Sequence, residues 1–147
     1  MLLTCLLIIS TKVMTMRNDD FVETIINFIE STTENVSELR INVQKELVAG
    51  VTSDTPRKTG LAVRNWQAAR DSIPTGIIPY AGDPETAESI ATFAAQATAF
   101  GEDGVWYFVN NVHYVYYLEF GTSRMAARGM ARKNSQRIAD NLRSRYG

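Results

Sequence analysis

A single histidine and a single cysteine bound the chemistry open to this chain. A nucleophile–histidine relay would have to run through His113, and no G-x-S-x-G elbow or comparable nucleophile context accompanies it. His113 therefore reads as a structural residue at a strand edge. Cys5 alone supports neither an intrachain disulfide nor a cysteine-based zinc site, and such usage fits a reducing compartment. There is no metal-ligand cluster, no trustworthy pair of carboxylates at glycosidase-like spacing, and no Walker or dinucleotide glycine loop. The expectation is a protein that is not an enzyme and takes no cofactor or metal. Glu119 is the one carboxylate that stands out. It lies between Leu118 and Phe120, and burying it without a base would cost several kcal/mol. Arg124 or Arg128 is the expected partner, within the subunit or across an interface.

The run that must position Glu119 is V-H-Y-V-Y-Y-L-E-F-G-T-S-R-M, residues 112–125. Its alternation of aromatic and aliphatic residues predicts a strand, with Tyr114, Tyr116, Leu118 and Phe120 on one face and Val115, Tyr117 and Glu119 on the other. The strand halts at Gly121-Thr122, and residues from 126 onward read as a helix carrying Arg128, Arg132, Arg137 and Arg143 largely on its exposed side. Residues 105–110 predict the antiparallel partner strand, joined at Asn110-Asn111. An aromatic surface ending in one acid, a glycine and an arginine-bearing helix suits an assembly interface better than a catalytic pocket. Trp66 and Trp106 read as core or interface anchors.

Upstream, Asn18-Asp19-Asp20 with Glu23 offers a helix cap. Val22, Ile25, Ile29, Val36, Leu39, Val43 and Leu47 then recur at helical steps, and Gly50 sits where the helix would end. Packing of this helix against a sheet is expected, with coiled-coil pairing as the alternative. Residues 52–60 are turn chemistry, and 61–70 predict a strand against which helix competes through its alanines. Residues 71–84 hold three prolines and predict an irregular loop, 85–100 an alanine-rich helix, and 101–104 a turn.

The formal charge of −1 conceals a polarity. Residues 17–54 carry eight acids against three bases, and residues 120–147 carry seven bases against one acid, Asp140. Such ends suit solvated helix faces, head-to-tail stacking of copies, or a basic face turned toward DNA. Residues 2–10 are almost wholly apolar but shorter than the ~20 residues of a membrane span. With no basic residue before them they lack the form of a secretory signal. Residues 1–15 are read as an extension, either upstream of a true start at Met14 or Met16 or an arm on a neighbour. Residues 16–147 are read as one domain, and no membrane partner is expected.

Two motifs carry a family resemblance. T-P-R-K-T-G-L-A-V-R-N-W at 55–66 and Y-V-Y-Y-L-E-F-G-T-S-R-M-A-A-R-G-M at 114–130 resemble the two signature elements of the tail-completion and head–tail joining (neck) proteins of long-tailed bacteriophages. Lys58 stands where members usually have aspartate, and Gly129 where proline or a bulky apolar residue is common. The resemblance implies an α+β fold: a small, mainly antiparallel sheet packed with a long N-terminal helix and a C-terminal helix. It implies a structural virion component that forms a homo-oligomeric ring, typically a hexamer. Its neighbours would be the tail terminator or tail tube and the head connector, in a particle assembled in the bacterial cytoplasm. Thr59, Gly60, Trp66, Tyr114, Tyr116, Tyr117, Glu119, Phe120, Gly121, Thr122, Arg124 and Arg128 would then form contacts between copies. Arg132, Lys133, Arg137 and Arg143 would face the lumen, where DNA phosphates pass without being read. The alternative is a small nucleic-acid-binding protein acting through its basic C-terminal helix.

Overall fold

A computed structural model describes residues 18–98 and 100–146, with the side chains of 18–20 left aside. The expected extension and the cap at 18–20 lie outside what is described. In chain order the elements are α1 (Asn18–Asp54), α2 (Leu61–Arg64), β1 (Trp66–Arg70), α3 (Ala87–Gln96), β2 (Trp106–Asn110), α4 (Val115–Phe120) and α5 (Met130–Tyr146). The fold is α+β: five described helices, with a long one first and a basic one last, and a two-stranded antiparallel sheet. The chain divides into two units, Met1–Glu38 and Leu39–Gly147.

The first unit, as far as it is described, is helix. Phe21, Val22, Ile25, Ile26, Phe28, Ile29 and Val36 all stay exposed. The helix has no break at Gly50 and runs four residues further, to Asp54. The reason for a glycine there is proximity, since a Cβ would collide with the Asn134 carboxamide of α5.

In the second unit, Gln44, Val48, Val51 and Thr52 of α1 are buried, as is Thr55 just beyond its end. Val51 joins Ala62, Trp66, Val112, Val115 and Met130 in the core. Residues 61–70 split between the two competing expectations: four residues of helix, then strand from Trp66. The strand pairs with β2, Trp66 opposite Asn110 and Arg70 opposite Trp106. This corrects the predicted hairpin, because β2 uses the distant β1 and residues 115–120 are helical. The Phe108 ring lies between Trp66 and Trp106, 5.1 and 5.5 Å away, which makes the sheet face an aromatic stack. Ala87, Ala91 and Ala95, one helical turn apart, are fully buried, so α3 makes its close approach through a stripe of small side chains.

Candidate assembly surface

In α4 the four-residue spacing, not the two-residue one, decides what is buried. Val115 and Glu119 face inward, one helical turn apart, while Tyr116, Tyr117 and Phe120 are more than half exposed. The strand reading failed because bulky, β-forming side chains are also tolerated on a short helix when tertiary contacts hold it. The inward face needs only two positions. Leu118 and Tyr114 are half-buried against the core.

Glu119 is 8% exposed and caps the first turn of α5. Its two carboxylate oxygens accept the backbone N–H groups of Ala131 and Arg132, each at 3.0 Å. Those donors have no partner within the helix itself, and negative charge at that end is favoured by the helix dipole. The Arg132 Nε adds a third donor at 3.1 Å. Within the chain Arg132 takes the place expected of Arg124 or Arg128, which lie on the intervening loop, exposed and without an ion-pair partner among the described residues. Burial alone would raise the Glu119 carboxyl. The Arg132 and Ala131 backbone donors and the Arg132 guanidinium override it, and hold the pKa below the ordinary glutamate value.

The loop between the helices is closed by its own backbone. Arg128 N–H donates to the Leu118 carbonyl at 2.7 Å, Gly129 N–H to that of Glu119 at 3.1 Å, and Thr122 pairs with Met125. Gly121 sits at φ 80°, and a Cβ there would lie 2.7 Å from the Ala127 nitrogen. Only glycine permits that approach. Thr122 is exposed.

Arg132 also lies over the Phe120 ring, 4.7 Å from its centroid, which holds that exposed aromatic in place. Arg137 pairs with Glu46 and with the Asn134 carboxamide, and Arg143 pairs with Asp140. Three of the four residues expected to face a lumen are thus already engaged within the chain. Lys133 is exposed with no ion pair among the described residues.

The other motif is a structural tie. Trp66 is buried, and its indole N–H donates to Thr55 Oγ1 at 2.9 Å, closing residues 55–66 into a loop. Trp66 therefore belongs to the core and not to an exposed surface. Thr59 is exposed, whereas Gly60 is buried against Tyr80 and Ala87. Asn65 is the residue whose role the sequence concealed. Fully buried, it donates to the Leu61 and Ile78 carbonyls at 2.9 and 2.8 Å and accepts the Ile78 N–H at 2.6 Å. Its signal was its place beside Trp66 in the motif.

His113 is exposed and stacks edge-on with Tyr114. Among the described residues no cluster of acids, histidines or cysteines could hold a metal ion, and no helix is long and apolar enough to cross a membrane. Comparison with protein-family models, curated proteins and solved structures gave no match.

Proposed function

We propose that this chain is a structural virion protein of a tailed bacteriophage. It completes the tail and joins it to the head connector as part of a neck ring. The supporting observation is the organisation of residues 114–130, the more extensive of the two motif resemblances. Glu119, Gly121 and the loop hydrogen bonds make that segment a rigid block, and the block presents Tyr116, Tyr117 and Phe120 to solvent. Rigid aromatics lose little entropy on contact and dominate interface energetics, so such a block serves docking. Phe120→Asp and Tyr116→Asp tested in the phage should leave the chain folded and lower the yield of heads with attached tails. Wild-type particle yield with both variants overturns the reading.

Binding to nucleic acid is the second reading, favoured by Arg124, Arg128 and Lys133, whose side chains have no ion pair among the described residues. It requires an affinity for duplex DNA that falls steeply as salt rises.

A further inference from the structure

The first unit carries an apolar surface with no cover among the described residues. Phe21, Val22, Ile25, Ile26, Phe28, Ile29 and Val36 are each between 42% and 68% exposed. Together they leave on the order of 600–700 Å² of apolar side chain per copy open to water, above the few hundred Å² usual on a monomer. Their spacing follows a seven-residue repeat. Val22, Ile29 and Val36 take one core position of the heptad, and Ile25 and Thr32 take the other. The single polar residue in that seam is neutralised internally, because the Thr32 hydroxyl donates to the Phe28 carbonyl at 2.8 Å.

We infer that this segment of α1 packs against the same segment of further copies of the chain, as a parallel helical bundle. The distribution of charge supports a self-complementary occupant. The four acids of residues 21–38 are Glu23, Glu30, Glu34 and Glu38, with no base among them. All fall on outer heptad positions, so identical helices meet without opposing carboxylates across the seam. Phe21, Ile26 and Phe28 flank the seam on both sides and widen the apolar arc beyond what one partner covers. Each helix therefore contacts two neighbours, and the bundle has three or more members. Rotational symmetry makes the helices parallel and brings each core residue against its own counterpart. The inference rests on the proposed self-assembly, not on where in a particle that assembly sits.

Mild oxidation of the full chain, with Cys5→Ser and one introduced cysteine at a time, tests it. Ile29→Cys and Val36→Cys should each give disulfide-linked dimers in high yield, while Glu30→Cys and Glu34→Cys give at least tenfold less. Ile29→Asp should lower the mass measured by light scattering with the helical circular dichroism of the domain retained. Cross-linking at 29 but not at 36 would indicate antiparallel pairing and overturn the proposal. Equal yields at seam and outer positions, or none at either while an oligomer persists, overturn it but leave self-assembly through another surface standing. A chain that stays monomeric at ~100 µM, a concentration where a specific interface is populated, overturns both readings.

Discussion

Three hydrogen bonds join Glu119 and Arg132. The carboxylate accepts the Arg132 Nε at 3.1 Å and its backbone N–H at 3.0 Å, while Arg132 Nη2 donates to the Glu119 carbonyl at 2.8 Å. The side chain of one helix's last turn thus caps the next helix, and Gly121 makes the short return between them.

Glu119→Gln should lower stability by about 2 kcal/mol, the worth of a helix cap combined with a charge-assisted hydrogen bond. A urea titration measures it. Glu119→Asp should fare little better, because the shorter side chain cannot span both backbone donors. A loss under 0.5 kcal/mol, the lower edge of cap effects, would show that the cap is dispensable.

The same carboxylate predicts a pH dependence. Its folded pKa lies below the ordinary value of 4.5, so the unfolded chain takes up its proton first. The stabilisation is fully present above that value and is lost as pH falls through the folded pKa. The stability gap between wild type and Glu119→Gln should therefore be constant from neutral pH down to the mid-fours and shrink below. A gap that widens on acidification contradicts the assignment.

Charge reversal should separate the arginines into two groups. Arg132→Glu would put two carboxylates together at the cap and remove the cation over Phe120, and Tm should fall by several degrees. Arg124→Glu with Arg128→Glu touches no ion pair among the described residues and should leave Tm within about two degrees, as surface changes do. Differential scanning calorimetry decides between this pattern and one in which all three behave alike.

Asn65 should prove as important as a core aliphatic. Asn65→Leu leaves the Ile78 N–H and carbonyl without partners, at a cost of about 2–3 kcal/mol. Amide exchange at Ile78 should speed up in the variant well before global unfolding.

At Gly50, alanine improves helix propensity by about 1 kcal/mol, yet Gly50→Ala should destabilise the protein because its methyl meets Asn134. Asn134→Ser on the same background should recover part of the loss, and a double-mutant cycle reads the coupling. Additive effects would mean that the two side chains do not compete for that space.

Local chemistry carries its own record in the sequence. The α1 periodicity, the proline-rich loop at 71–84, the alanine helix, strand β2 and the basic last helix were legible because side-chain spacing or breaker residues dictate each. So was the choice facing Glu119, water or a base, because an unpaired buried carboxylate is costly. Tertiary structure decided the rest. Whether 115–120 is strand or helix depends on which neighbours bury Val115 and Glu119, because the aromatic residues between them accept either backbone. That β2 pairs with β1, some forty residues away, depends on Trp66 and Trp106 stacking against Phe108, a contact no local pattern encodes. The partner of Glu119 is Arg132 and not a nearer arginine because the turn at Gly121 brings the start of α5 to the carboxylate. Glycine at 50 looked like a helix end, and only the tertiary structure shows that its missing side chain leaves room for the Asn134 carboxamide of α5.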